Sequence, residues 1–253
     1  MSISIRSQKQ FRKSIRRPDE FLKMMTQFFE KWAKQPKLVI GVGVAVLLLL
    51  VGFGIYSQTR EKSLEVARQS FFNAQTLLSQ EQNKARADGN QDKKGKKFQV
   101  PFEYKKLDVK KTYPKSIPAL EKVVETHPAT PSAFLAAMAL AELYFNHQDE
   151  VEAQTWFKKA EKNATQALDR TSALLGQGTL LENQSQFKSA LEIYREALNA
   201  GSQEALGEVL MGIGRVQAKL GNTNEAKTVY DRIINELKDS QYVTPAKTAK
   251  KML

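Results

Sequence analysis

The sequence predicts an all-α chain in which one transmembrane helix precedes an α-solenoid of helical hairpins. Three observations carry this reading. Leu38 to Tyr56 is a run of 19 residues with no charged side chain. Downstream, the order small-x3-aromatic-x2-small occurs as Ala153, Phe157, Ala160, then as Ala190, Tyr194, Ala197, then as Ala226, Tyr230, Ile233, at intervals of 37 and 36 residues. A matching first-helix set precedes each series: Leu140, Ala141 and Tyr144, then Gln177, Gly178 and Leu181, then Ile213, Gly214 and Gln217.

Residues 1–37 form a basic segment with ten Lys or Arg against three Asp or Glu. Within it, 18–34 reads as an amphipathic helix. Pro18, Asp19 and Glu20 suit a first helical turn, and Phe21, Met25, Phe28 and Trp32 recur at steps of three and four. Beside a bilayer such a helix lies in the interface with its lysines on anionic headgroups. The alternative is a docking helix for a partner, and the two are compatible.

The uncharged run, residues 38–56, spans roughly 28 Å at the helical rise per residue, about the hydrocarbon thickness of a bilayer. A soluble core helix would carry a polar stripe, and this run has none. A cleaved signal peptide is the other alternative, although its hydrophobic region would be unusually long and would follow 37 residues rather than a short leader. Only Arg60, Lys62 and Arg68 follow the span closely, so the positive-inside rule keeps the N-terminus in the cytoplasm. Everything from Ser57 onward is then translocated, into the periplasm if the host is a bacterium.

Residues 57–83 predict a first helix beyond the span, on the stripe Leu64, Ala67, Phe71, Ala74 and Leu78. That stripe suits half of a helical hairpin better than a coiled coil, because it covers barely two heptads. Residues 84–116 read as a Lys-rich insertion or loop broken by Gly89, Gly95, Pro101 and Pro114, with a short extended piece hinted at by Phe98, Val100, Phe102 and Tyr104. Residues 117–253 hold the repeats and carry 15 basic against 17 acidic residues. The formal charge of +12 therefore sits on the flanks, and no nucleic-acid partner is expected.

The recurring units resemble tetratricopeptide repeats, in which small residues let the second helix approach its partner while the aromatic fills the gap between hairpins. An unrelated helical bundle is the alternative. Stacked hairpins of this kind expose their first helices as a groove. Here the candidate protein-binding wall is Met138, Glu142, Phe145, Leu175, Thr179, Glu182, Met211, Arg215 and Lys219. Methionines among charges suit varied clients, whereas a clamp for a C-terminal carboxylate would need more cations than Arg215 and Lys219.

The chain has no cysteine, and its two histidines, His127 and His147, have no second ligand at metal-binding spacing. No phosphate-cradling glycine loop or nucleophile elbow occurs outside the apolar run. No catalytic residue, cofactor or metal is expected.

The order of parts, with "FFEKWAKQPK" before the span, "EKSLEVARQSFFNAQTLLSQ" after it and hairpins beyond, resembles the YfgM-like ancillary subunit family of the bacterial SecYEG translocon. The likeness covers residues 21–82 and 117 to about 240. It implies a non-catalytic, single-pass inner-membrane protein with a periplasmic repeat domain. Its implied partners are the translocon, periplasmic chaperones and exported client chains. The alternative from another class is a structural scaffold holding an envelope or cell-division complex through its repeats.

Overall fold

The computed structural model describes Thr26 and residues 36–89 and 108–253, and all regular structure among these is helical. Apart from Thr26, which is helical, the expected amphipathic helix 18–34 lies outside the described residues, and so does the extended piece around Phe98–Tyr104. The chain divides into two units, 1–61 and 62–253.

The described part of the first unit is the start of helix α1 (Pro36–Gly89). Here the apolar residues from Val44 to Tyr56 are all exposed, Leu49 by 74%. Uncharged on every side and closed by its own backbone hydrogen bonds, this segment meets the conditions for burial in hydrocarbon. Among the described residues α1 is the one helix long and apolar enough to cross a membrane.

In the second unit, Ala67, Ala74 and Leu78 of α1 are buried and Leu64 and Phe71 half-buried, so the predicted stripe is a packing face. Ala74 and Leu78 share a hydrophobic cluster with α2 (Val109–Thr112), α3 (Ser116–Thr126) and α4 (Pro131–Asn146). α1 runs past residue 83, its expected end, to Gly89. Lys84, Ala85, Arg86 and Ala87 are all good helix formers, and glycine is a natural stop. The loop expected over 84–116 is thus shortened at both ends, since α2 also falls inside it.

α3 begins without a cap of its own, because Lys115 offers no side-chain acceptor. Glu81 of α1 supplies one. Its carboxylate accepts the Lys115 N–H at 3.0 Å, the Ser116 N–H at 3.1 Å and the Ser116 hydroxyl at 2.6 Å. Negative charge at a helix N-terminus also opposes the macrodipole favourably. One carboxylate therefore ties together two helices separated in sequence by the Lys-rich segment.

Three hairpins follow: α4 with α5 (Glu150–Asn163), α6 (Ala167–Asn183) with α7 (Phe187–Asn199), and α8 (Leu206–Lys219) with α9 (Thr223–Glu236). Each helix packs on the next, α10 (Val243–Lys251) covers α9, and successive first helices touch. α4 starts on a strong local signal: Pro131 in its first turn and the Thr130 hydroxyl accepting the Ala133 N–H. Each hairpin turns through the same C-terminal motif. Asp149, Gln186 and Asn222 donate their N–H to the carbonyls of Tyr144, Leu181 and Gln217, five residues back, while the residue before each sits at positive φ. That residue is Gly221 in the last hairpin but Gln148 and Ser185 in the others, with φ of 60° and 59°.

The second-helix aromatics fill the joints between helices. A Cβ on Gly178 would lie 2.5 Å from the Tyr194 ring, one on Gly214 2.4 Å from Tyr230, and one on Gly176 2.2 Å from Phe157. Tyr194 also faces Gly212 of the next hairpin. Only a residue without a side chain allows these approaches. Side-chain hydrogen bonds then lock the repeats at a nearly constant sequence separation. Examples are Ala129 N–H to Asn163 Oδ1, Gln184 Nε2 to Glu150 and Tyr242 Oη to Glu208, each across 34 residues.

Candidate functional site

The exposed stripe of α4 is built by helical spacing. Leu135, Met138, Glu142 and Phe145 follow one another by three, four and three residues, which places them on one face. Leu135 is 46% exposed, Glu142 is exposed, and Met138 and Phe145 are half-buried. Phe145 is held from behind by an edge-on contact with Phe157, ring centroids 6.3 Å apart. The same face continues onto α6 at Thr179 and Glu182 and onto α8 at Arg215, because the repeat length carries Glu142 to Thr179 and then to Arg215.

Three residues of the predicted wall come together around a fourth that was not assigned to it. The Arg215 guanidinium grips Glu182 with two bonds, Nε to Oε1 at 3.1 Å and Nη2 to Oε2 at 3.0 Å. The Tyr194 hydroxyl, from a fully buried ring, donates to Glu182 Oε2 at 3.0 Å and lies 3.3 Å from the Thr179 hydroxyl. The bidentate pair spans α6 and α8 and so fixes the register of two first helices. Burial pushes the Tyr194 phenol up to about 12, with the Glu182 charge adding to the effect and the Thr179 bond opposing it. The Arg215 guanidinium is held above its ordinary value chiefly by its bonds to Glu182, against the desolvation that lowers it. Tyr194 escaped the sequence reading of the face because its repeat position marks it as core. The available signal was a polar residue at 179, 182 and 215, all within reach of one phenol.

Leu175 and Met211 differ from expectation. They retain 8% and 9% exposure and sit in the hydrophobic clusters, so they contribute little open wall. Gly176 and Gly212 are the cause: next in sequence, they let α6 and α8 close tightly on Phe157 and Tyr194 and cover their neighbours. Lys219, on the last turn of α8, is exposed.

Beside Phe145, a cleft of about 770 Å³ opens where the end of α4, the start of α5 and the end of α6 meet. Phe145, His147, Gln148, Asp149, Glu150, Val151, Leu180 and Asn183 line it, with no Lys or Arg among the described residues that do. Among the described residues no group of His, Asp or Glu is arranged to hold a metal ion.

Residues 27–250 match the model of the tetratricopeptide repeat-like domain. The chain belongs to that family. Among curated proteins, the chain is 30% identical over 102 residues to the human protein O-mannosyl-transferase TMTC1, covering 40% of this chain and 11% of that protein. It is also 30% identical over 115 residues to the CTR9 homolog of Arabidopsis thaliana, covering 37% of this chain and 10% of that protein. The matches thus span about a tenth of the length of each relative, and the mannosyl transfer in one name is a property of that protein. Tetratricopeptide-like repeats are protein-interaction scaffolds.

Proposed function

We propose that this protein is a non-catalytic adaptor, anchored by the apolar part of α1, whose repeat domain receives segments of exported proteins outside the cytoplasm as an ancillary subunit of the translocon. The observation that carries the proposal is the make-up of α1. One helix holds both the exposed, uncharged run from Val44 to Tyr56 and the buried stripe from Ala67 to Leu78 that begins the repeat array. Such a protein cannot leave the bilayer surface without exposing about a dozen apolar side chains to water, each worth roughly 1.5–3 kcal/mol when buried. The excess of basic residues before the run favours a cytoplasmic N-terminus. Tethering then raises the effective concentration of the binding face near emerging chains, so weak and varied contacts suffice. The likeness of the chain's layout to translocon-associated proteins supports the choice of site, and chaperones of the same compartment are its natural partners.

Site-specific photocrosslinking from Met138 in living cells tests the reading. Many different exported chains trapped at that position, with translocon subunits recovered alongside, is the expected result. A single stoichiometric partner would instead make the protein a fixed scaffold of an envelope assembly.

A further inference from the structure

We infer that the face formed by Leu135, Met138, Glu142 and Phe145, with the adjoining cleft at Val151, binds extended segments that carry a lysine or arginine flanked by apolar side chains. The inference rests on the reading of this face as client-binding and names the chemistry of the client.

Its basis is a comparison of successive repeats. On α6 and α8 the polar positions of the face are satisfied internally: Glu182 is matched by Arg215 and braced by Tyr194. The equivalent of Arg215 is Thr179 one repeat earlier and Glu142 two repeats earlier, and the equivalent of Glu182 one repeat earlier is Phe145. On α4, therefore, a carboxylate stands at the position of the cation and a ring at the position of its partner. Among the described residues no cation pairs with Glu142, and partial burial raises the pKa of its carboxyl. An anion set among Leu135, Met138 and Phe145 is stabilised by an incoming cation whose neighbours cover those side chains.

The cleft beyond Phe145 has the same character. Val151 stands 77% exposed at its rim, Leu180 lies in its wall, and its two charged side chains, Asp149 and Glu150, are both acidic. A segment crossing from Leu135 to Val151 therefore meets apolar side chains at Leu135, Met138, Phe145 and Val151, polar ones at Gln148 and Asn183, and the carboxylates of Glu142, Asp149 and Glu150. An acidic client would be repelled along the same path, which makes the face selective rather than merely sticky.

The test uses the full-length protein in detergent and three fluorescent twelve-residue probes: one with lysine between leucine and phenylalanine, one with glutamate in place of lysine, and one with the lysine but serines for the apolar residues. Fluorescence anisotropy should show binding of the first at least about tenfold tighter than of the other two. Glu142→Gln should abolish most of that preference without lowering the melting temperature, because no described residue pairs with Glu142. Glu142→Lys should transfer the preference to the glutamate probe. Equal binding of lysine and glutamate probes, or binding indifferent to Glu142→Gln, overturns the inference while leaving the client-binding reading open to its own crosslinking test. A synthetic peptide of residues 90–107 that outcompetes every probe reassigns the face to the chain's own Lys-rich segment. Self-association that disappears in Glu142→Gln reassigns it to a second copy. Either result overturns the proposal.

Discussion

Tyr194 and Gly178 meet so closely that a single methyl group at position 178 would lie 2.5 Å from the phenol ring. The ring has nowhere to retreat: its hydroxyl is bonded to Glu182 and its other side faces Gly212. Gly178→Ala sets two effects against each other. Helix propensity favours alanine by about 1 kcal/mol, and overpacking a rigid site costs about 1–3 kcal/mol. With the ring pinned on both sides overpacking wins, and the melting temperature should fall by several degrees in circular dichroism of the detergent-solubilised protein. A variant as stable as the parent would mean that the hairpins are not packed through this aromatic.

The hairpin turns offer gains instead. Gln148 and Ser185 occupy the left-handed region that Gly221 fills in the third hairpin. A side chain there costs about 1–2 kcal/mol, partly offset because glycine makes the unfolded chain more flexible. Gln148→Gly and Ser185→Gly should each raise stability by about 0.5–1 kcal/mol, and Gly221→Ala should lower it by a similar amount. Thermal melts of the three variants, compared directly, check all three signs.

The carboxylate of Glu81 is the link most exposed to removal. Replacing it leaves two N–H groups and one hydroxyl at the start of α3 without their acceptor. Loss of a helix cap costs about 0.5–2 kcal/mol. Hydrogen exchange at the amides of Lys115 and Ser116 should accelerate markedly in Glu81→Ala, while the amides of α8 and α9 keep their protection. Uniform acceleration would show that the first repeat unfolds only with the whole array.

Alkaline pH should act through the buried phenols. Tyr144 and Tyr194 are each raised from 10.0 to about 12, in both cases first by burial. An acid whose folded pKa is raised holds its proton longer in the folded state than in the unfolded one. Its contribution is therefore intact below pH 10 and disappears as pH rises toward 12. The melting temperature should fall steeply across that window, and Tyr194→Phe should flatten the fall. The same slope in parent and variant would assign alkaline sensitivity to other groups.

The repeat register was legible because it is written locally. Ala153, Phe157 and Ala160 and their counterparts declare a second helix wherever they recur, and all three sets prove buried. The row of Glu142, Thr179 and Arg215 was legible as geometry, because repeat spacing places them at equivalent positions; its use in binding is the proposal. Leu175 and Met211 were misplaced because the glycine beside each draws two helices together, a consequence of three-dimensional approach that helical periodicity does not register. Glu81 was silent for a related reason. Its partners lie 34 and 35 residues away across a Lys-rich segment, and nothing near it in the chain marks it as a cap.

The membrane anchor makes the last prediction. Leu48 and Leu49, near the middle of the apolar run, are 64% and 74% exposed and make no core that a substitution would disrupt. An arginine at the centre of a spanning helix costs about 2.5–3.5 kcal/mol on insertion scales, so two cost about 5–7 kcal/mol. Leu48→Arg combined with Leu49→Arg should move the protein from the membrane pellet to the soluble fraction on centrifugation. The melting transition of the repeats should remain unchanged, since both positions belong to the first unit and the hairpins to the second. Continued resistance to carbonate extraction in the double variant would mean that this helix does not hold the protein in the bilayer, and the proposed site of action would fall with it.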